Sequence, residues 1–484
     1  MHVLLLRPVP GNDRFGLGPF FRIEPLGLEY IAAALEARGH RATVVDLRHG
    51  RSVDHYLRKT RPGVVGIACM HALETDEALA LAHHVRRAAP GAFVLVGGHA
   101  AATYPSPFFS SAVDAISLGD GELVVPALAE ALERRRAVDT VPGLLVPSAD
   151  GTFRRTPAPA ESFDLDEVPL PLRRDVDRWR RRYACLLFRP VWLIETARGC
   201  PFRCSFCSVW PLYDRAVRLR SIESVCADFA ATGPHVFVGD DLFWYQPARS
   251  LELAKELKRR GIRKRWLLVQ SRTDLVASHP ELLEAWRGLA QDFDIFFGLE
   301  AATDEGLTDL AKDTTVDCTV DAIGIAREQR YGVIGNFVID PEWTEGDFEG
   351  LWTFVERHDL TRAGFTLLTP LPGTTYFEQM RPRLRAVNWA QYDMHHLLWE
   401  PRLGAKRFFE LYCETWRRSI LNLGGHKSWR QWAQQVRPGD VPRLTRMLPR
   451  TQRMMRPEAY LAEHRLARSE TVGTPVDGRQ LLAD

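Results

Sequence analysis

Three cysteines fall within eight positions of one another, in the string Arg-Gly-Cys-Pro-Phe-Arg-Cys-Ser-Phe-Cys that contains Cys200, Cys204 and Cys207. Three thiolates on one loop can bind three corners of a 4Fe-4S cluster and leave the fourth iron open to a ligand that is not protein. The alternative is a structural zinc ion, but zinc would need a fourth Cys or His at short spacing, and none follows. The loop therefore predicts an iron-sulfur cluster with one open iron.

The spacing C-x3-C-x2-C closely resembles the motif of the radical S-adenosylmethionine (SAM) superfamily, as does Phe206 immediately before the third Cys. The resemblance implies that the open iron binds the amino and carboxylate groups of SAM. It also implies that one electron from an external donor of flavodoxin or ferredoxin type cleaves SAM to methionine and a 5′-deoxyadenosyl radical. That radical would remove a hydrogen atom from the substrate.

Further landmarks of that superfamily are matched later in the chain. Gly239-Asp240-Asp241 resembles the acidic turn near the SAM amino group, and Gly298-Leu299-Glu300 resembles the motif whose carboxylate contacts the ribose. The resemblance places Gly335 near adenine. Each position has a structural alternative, because aspartates also cap helices and form turns, and a glycine also permits close packing.

The elements that would position these residues alternate short apolar strands with amphipathic helices, as in parallel sheets. In the first domain, residues 1–148, five strands and three helices predict a doubly wound α/β fold of flavodoxin type. The predicted strands are 3–6, 42–46, 64–68, 93–96 and 114–118, and the predicted helices are 26–37, 73–89 and 122–134. Glycines that follow the fourth and fifth strands could let backbone approach a ligand or could form tight turns; they are Gly97, Gly98, Gly119 and Gly121.

A proline- and arginine-rich linker is predicted over residues 149–188, and six βα units over 189–382 predict a partial (β/α)6 barrel. Its predicted strands are 191–194, 236–238, 266–269, 295–299, 333–339 and 364–368. The suspected cofactor residues all follow strand ends, where chemistry is located in such barrels. The remaining residues, 383–484, are predicted to be helical.

Residues 368–375 resemble the closing strand and loop of radical SAM enzymes that carry an N-terminal cobalamin-binding domain, and residues 25–36, 94–101 and 118–122 resemble that domain. The chain is therefore identified as a member of the cobalamin-dependent radical SAM methyltransferases. The D-x-H-x-x-G motif, whose His ligates cobalt in other cobalamin enzymes, is absent. His71 and His99 are potential neighbours of the cofactor, although a lone His is more often a surface or capping residue.

Residues 406–419 and 454–464 are similar to the tail of hopanoid C-3 methylases. That similarity implies methylation of an unactivated carbon in ring A of a lipid, with a methyl group taken from methylcobalamin. Two alternatives stay open. One is another natural-product reaction with the same cofactors, either methylation of a different substrate or an oxidative cyclisation or ring rearrangement. The other is a regulatory protein whose Cys loop holds a structural metal.

Composition excludes several function classes. Sixty-three basic and sixty-one acidic residues give a net charge of +2, which provides no global field for binding nucleic acid. No apolar run is long enough for a membrane span or a signal peptide, which predicts a cytoplasmic protein. The other five cysteines are scattered, which argues against an auxiliary cluster. Four arginines at helical spacing predict a basic face that could touch the inner surface of the membrane; they are Arg443, Arg446, Arg450 and Arg453.

Overall fold

The computed structural model describes residues 1–11, 18, 21–148, 151–158, 163–384, 388–420, 439 and 441–469. The N-terminal strands are β1 (His2–Arg7), β2 (Phe21–Arg22), β3 (Arg41–Asp46), β4 (Val64–Ala68), β5 (Phe93–Gly97), β6 (Ala115–Ser117), β7 (Leu144–Pro147) and β8 (Phe153–Arg155). The later strands are β9 (Ala184–Cys185), β10 (Trp192–Ile194), β11 (Ala197–Arg198), β12 (Arg218–Leu219), β13 (His235–Val238), β14 (Lys264–Ser271), β15 (Ala290–Glu300), β16 (Gly332–Ile339) and β17 (Ala363–Leu367).

The first sheet has the order β3-β1-β4-β5-β6-β7-β8. The strands β3, β1, β4, β5 and β6 are parallel. When these five strands are numbered by their order in the chain, their order across the sheet is 2-1-3-4-5, which is the flavodoxin arrangement predicted from the sequence. The strands β7 and β8 add antiparallel at one edge and were not predicted, because β8 is only Phe-Arg-Arg and shows no apolar alternation. The boundary predicted at residue 148 falls inside this hairpin.

The second large sheet has the order β10-β13-β14-β15-β16-β17, and every neighbouring pair is parallel. The strands follow one another in chain order, as the six predicted βα units require. In the described part of the chain β10 and β17 are edge strands, so the barrel is partial. Helices cover its outer face because their apolar sides pack against the buried strands in one continuous core.

The α-helices of four or more residues cover both faces of the first sheet and the outside of the second, and three follow the barrel. They are Leu26–Ala37, Val53–Thr60, Thr75–Ala88, His99–Thr103, Gly121–Glu133, Arg174–Asp177, Val209–Leu212, Ile222–Ala231, Pro247–Arg259, Thr273–Ser278, Glu281–Trp286, Asp304–Asp309, Val316–Glu328, Glu345–Arg357, Thr375–Met380, Ala405–Ile420, Val441–Met454 and Pro457–Ser469.

The first domain and the barrel share a buried seam. Leu26 and Tyr30 of the first helix pack with Leu193 and Trp266 of the barrel strands. The carboxylate of buried Glu24 accepts a hydrogen bond from the Leu193 backbone N–H at 2.6 Å. This seam joins the start of the first helix to strand β10. It therefore fixes the position of the loop after β10 relative to the first domain.

The region predicted to be helical contains three α-helices among its described residues, Ala405–Ile420, Val441–Met454 and Pro457–Ser469, whereas residues 388–404 hold only the short 3-10 helix Trp389–Gln391. The helix Ala405–Ile420 places its aromatic side chains in the barrel core, and the Tyr412 hydroxyl donates to the carbonyl oxygen of Phe365 at 2.9 Å. This helix therefore packs beside the edge strand β17 of the partial barrel. Among the described residues, no helix is both long and apolar enough to cross a bilayer.

Candidate functional site

The cysteine loop leaves the carboxyl end of β10 and is held at both sides by backbone hydrogen bonds. The Ser205 N–H donates to the Leu310 carbonyl, and the Ser205 carbonyl accepts from the Tyr376 N–H, each at 3.0 Å. Phe206 packs against Val338 and Leu368, which lie at the ends of β16 and β17. Phe206 therefore anchors the loop to the opposite side of the barrel mouth.

The three thiols lie at the buried end of this loop. Cys204 is buried, and Cys200 and Cys207 are half-buried. Burial raises the pKa of all three thiols, that of Cys207 to about 12, and the pKa values of Cys200 and Cys207 are raised further by their neighbouring cysteines. The thiols are thus close together and protonated without a metal, so metal binding would have to release their protons.

The arrangement suits a cluster better than a single ion. No three Cys, His, Asp or Glu side chains among the described residues are arranged to hold one metal ion. Structural zinc needs its ligands within roughly 2.3 Å of one point. In a 4Fe-4S cluster each cysteine binds a different iron, so the sulfur atoms lie farther apart.

The two aspartates after β13 have different surroundings. The Asp240 carboxylate is buried and accepts from the Thr196 N–H at 2.6 Å and the Thr196 hydroxyl at 2.5 Å, which ties β13 to the loop after β10. Asp241 is solvent-exposed and accepts from the Gly199 N–H at 2.9 Å, next to the first cysteine. Of the two, Asp241 is the carboxylate open to a ligand.

Glu300 ends β15 in the left-handed conformation, with φ +61°, and its buried carboxylate accepts from the Lys312 ammonium at 2.9 Å. The β15–β16 register is irregular between Gly298 and Glu300, which turns the glutamate at the end of the strand. A Cβ on Gly335 would lie 2.3 Å from the Leu299 side chain. In this structure Gly335 therefore serves close packing between β15 and β16.

The predicted glycines of the first domain lie at the carboxyl edge of its sheet. Gly97 ends β5, and Gly98 follows it with φ +106°, where a Cβ would lie 2.7 Å from the Cys69 carbonyl. Only glycine fits that turn. Gly119 follows β6, and Gly121 begins the next helix. The edge faces the barrel, since His99 Nε2 lies 2.7 Å from the Ser208 hydroxyl, one residue after the third cysteine.

A buried ion-pair network makes a second connection between the domains. Arg198, two residues before the first cysteine, donates to Asp120 at 2.6 Å and to Glu122 at 2.9 Å. Arg218 donates to the other Asp120 oxygen at 2.8 Å. Asp120 lies between Gly119 and Gly121, so the network joins the glycine turn of the first domain to the cysteine loop.

A cavity with about 550 Å³ of empty space, part of it open to solvent, lies where the two domains meet. Its walls come from the ends of β4 and β5, from Ser208 and from the loop after β17, and they include His71, His99 and Tyr392. Burial lowers the pKa of His99 to about 4, so its imidazole is neutral at pH 7. Met70 and Met394 also line the cavity and are 45% and 39% exposed. Exposed methionines beside neutral polar groups suit a partly apolar ligand.

The sequence indicated His99 as a potential neighbour of cobalamin, but it did not predict the contact of His99 with Ser208 or the pairing of Arg198 with Asp120. Arg198 and Asp120 are 78 positions apart, and His99 and Ser208 are 109 positions apart. No local periodicity relates such distant positions. The only available signal was that Asp120 and His99 each adjoin a predicted glycine.

The chain was compared with known proteins. The B12 binding domain model matches residues 20–129, and the Radical SAM superfamily model matches residues 194–355. The hopanoid C-3 methylase of Methylococcus capsulatus is 30% identical over 468 residues, which is 92% of this chain and 86% of that protein. The alignment therefore spans both matched domains and the C-terminal region.

Two solved structures share the fold. The radical S-adenosylmethionine methyltransferase TsrM from Kitasatospora setae, solved with cobalamin and a [4Fe-4S] cluster, is 20% identical with a TM-score of 0.64, covering 79% of this chain and 75% of its own. The cobalamin-dependent S-adenosylmethionine radical enzyme OxsB, solved with aqua-cobalamin and S-adenosylmethionine, is 16% identical with a TM-score of 0.69. That match covers 97% of this chain and 75% of OxsB.

Proposed function

Because the chain belongs to the cobalamin-dependent radical SAM methyltransferases, we propose that it methylates an unactivated carbon of an apolar lipid, namely C-3 in ring A of a hopanoid. The observation that carries the reaction class is the cavity that joins the carboxyl edge of the first sheet to the cysteine loop. The choice of a hopanoid rests on the similarity to the hopanoid C-3 methylase over 92% of the chain.

The residues present fit the cofactors that this function requires. Cys200, Cys204 and Cys207 hold the cluster, and Asp241 and Glu300, which follow β13 and end β15 on either side of β14, bind SAM. The domain edge at Gly97, Gly98, Gly119 and Gly121 and the adjoining cavity hold cobalamin. The buried Tyr392 hydroxyl lines this cavity and has no hydrogen-bond partner among the described residues. A buried hydroxyl without a partner is costly, so a ligand that accepts from it would be stabilising.

Methylation of a saturated carbon needs a radical route, because such a carbon has no lone pair to attack the methyl group of SAM. When bound, the cluster, SAM and cobalamin supply the hydrogen-abstracting radical and the methyl group, which no side chain can provide. The protein supplies position and exclusion of water. Its ion pairs hold the two cofactor sites face to face, and apolar side chains such as Met70, Leu371 and Trp389 line the space between them.

Two partners follow from this function. An external one-electron donor of flavodoxin or ferredoxin type reduces the cluster, and an anionic membrane supplies the lipid. The helix Val441–Met454 supports the membrane contact, because Val441 and Leu448 are 52% and 55% exposed and lie seven residues apart on one face. Arg446 and Arg453 are exposed on the same helix. Apolar and basic side chains together favour an anionic lipid surface.

The test is anaerobic reconstitution with iron, sulfide and methylcobalamin, followed by incubation with a reductant, methyl-labelled SAM and diplopterol. We expect the hopanoid to gain the labelled methyl group, with formation of 5′-deoxyadenosine and S-adenosylhomocysteine. Cys204→Ala should abolish all three products, whereas Cys226→Ala, at a buried cysteine in the barrel core, should form them.

Mass spectrometry of the products separates the alternatives. Formation of 5′-deoxyadenosine without methylated hopanoid would retain the radical chemistry and reject the hopanoid. A product that has lost hydrogen and gained no label would instead indicate oxidative cyclisation. A protein that binds zinc and does not cleave SAM would reject the proposal entirely.

A further inference from the structure

Arg272 lies against the cysteine loop at the end of β14. Its guanidinium carbon is 3.6 Å from the ring centre of Phe202, which stands between the first and second cysteines. Its Nη2 donates to the backbone carbonyls of Lys312 at 2.6 Å and Asp313 at 3.1 Å. Its Nε donates to the Asp274 carboxylate at 2.9 Å. The guanidinium is therefore held rigidly, with its plane against the loop.

One nitrogen atom of this guanidinium, Nη1, makes no hydrogen bond among the described residues. The Arg272 side chain is only about 6% exposed, and its Nη1 is buried. A buried N–H on a charged group costs free energy when it is unpaired. The fixed position of the other nitrogens means that Nη1 cannot turn to solvent. A ligand at this place is the simplest way to satisfy it.

The electrostatics show what lies nearby. Burial raises the pKa of the Cys204 thiol, and Lys312 and Arg272 oppose that rise. Arg272 also acts on Cys200 in the same direction. The Lys312 ammonium is already paired with Glu300. Arg272 is thus a buried cation with an unpaired donor beside the thiols.

We propose that Arg272 tunes the cluster: its Nη1–H donates to a sulfur atom of the iron-sulfur cluster and raises the cluster's reduction potential. This inference rests on the proposed function, because it requires the cluster. Reduction adds an electron to a negatively charged group, so a nearby cation and a hydrogen bond to sulfur favour the reduced form. Loss of the donor would make reduction harder.

The experiment is an EPR-monitored potentiometric titration of the anaerobically reconstituted full chain in the absence of SAM. We expect Arg272→Gln to lower the equilibrium constant for reduction about tenfold, equivalent to about 59 mV for one electron. Arg272→Lys keeps the positive charge but loses the planar guanidinium and its Nη1 donor, so we expect a smaller decrease in the reduction potential. Arg362→Gln is the control, because it removes an Arg–Asp ion pair at Asp294 in the middle of β15, six residues before Glu300.

A parental potential in Arg272→Gln with a full complement of iron and sulfide would overturn the proposal. If that variant fails to hold a cluster, a parental potential in Arg272→Lys would overturn it instead. An unchanged potential with weakened SAM binding would assign the guanidinium to the SAM carboxylate, which also overturns it. A parent chain that assembles no reducible cluster would refute the proposed function itself.

Discussion

At the scale of single residues, Gly298 leaves the space in which Glu300 and Lys312 pair. A Cβ there would lie 2.2 Å from the Glu300 carboxylate oxygen and 2.9 Å from the Lys312 ammonium. We expect Gly298→Ala to displace Glu300 and to weaken SAM binding at least about tenfold, a loss of about 1.4 kcal/mol. Isothermal titration calorimetry of the reconstituted protein with SAM measures this affinity.

The matched control is Gly324→Ala, because a Cβ at this helical glycine meets nothing within 4 Å. Alanine there should keep the parental SAM affinity and stabilise the helix by about 0.5–1 kcal/mol. Parental SAM affinity in Gly298→Ala would contradict the assignment of Glu300 to the SAM site.

At the same scale, what the sequence predicts depends on whether the chemistry is local. The metal-ligand hypothesis for the cysteines follows from seven residues of spacing, so no fold is needed to state it. The partner of Glu300 was not predictable, because Lys312 follows it by twelve residues across a turn and a short helix. The roles of Asp240 and Asp241 were also not separable, since these adjacent residues are of one type and differ only in the burial and hydrogen-bond partners that the fold gives them.

At the scale of elements, the ion pairs of Asp120 join the glycine turn after β6 to the cysteine loop. We expect Asp120→Asn to weaken the charge-assisted hydrogen bonds from Arg198 and Arg218 and to lower stability by about 1–3 kcal/mol. It should also loosen the alignment of the two cofactor sites, so that more 5′-deoxyadenosine forms for each methyl group transferred. Retention of cobalamin on gel filtration and the ratio of the two products measure these effects.

Arg174→Ala provides the comparison for this ion pair. Arg174 also crosses from a later segment to the first domain, where it pairs with Glu36, but its side chain is 57% exposed. Exposed pairs contribute little to stability. Arg174→Ala should therefore match the parent in both measurements, and the same behaviour in Asp120→Asn would show that the network does not align the sites.

A second element-scale prediction concerns pH. The buried His396 ring lies 2.9 Å from Asp393 and 3.1 Å from Glu463, and so joins the segment after the barrel to the helix Pro457–Ser469. Burial alone would lower the pKa of His396, but these carboxylates raise it to about 9. The stabilisation is complete below the usual His pKa of about 6.5 and is lost as pH rises toward 9.

We therefore expect the melting temperature of the parent to fall between pH 7 and 9 more than that of His396→Gln. The difference corresponds to a contribution on the order of 1–3 kcal/mol. His279→Gln removes an exposed His–Glu pair and should follow the parental pH curve. If the melting temperatures of the parent and of His396→Gln changed equally with pH, protonation of His396 would not be the source of the pH dependence.

Elements proved more predictable than their junctions. The parallel strands carry continuous apolar runs, which is why the strand order of the first domain and all six barrel strands were predicted correctly. The hairpin β7–β8 was missed, because short edge strands show little periodicity. The cavity was not predictable, since its walls come from strand ends, Ser208 and residues near 390 that meet only in the folded chain.

At the scale of the whole molecule, the proposed lipid substrate would bring the chain into contact with a membrane. We expect the chain to float with vesicles that contain anionic phospholipid and not with neutral vesicles. The double variant Arg446→Glu/Arg453→Glu should lose this binding, because it removes the net positive charge of the helix Val441–Met454. Arg87→Glu/Arg134→Glu, on exposed residues of the first domain, should bind as the parent does. Equal vesicle binding by both double variants would exclude this helix as the contact.

The central claim is that a methyl group bound in the cavity between the two domains reaches an unactivated carbon of the substrate. The direct measurement is a rapid-quench time course with diplopterol, in which protein preloaded with unlabelled methylcobalamin receives SAM that carries a trideuterated methyl group. We expect the first equivalent of product to carry the unlabelled methyl group and later product to carry the deuterated one. Deuterated methyl in the product from the first turnover would contradict it.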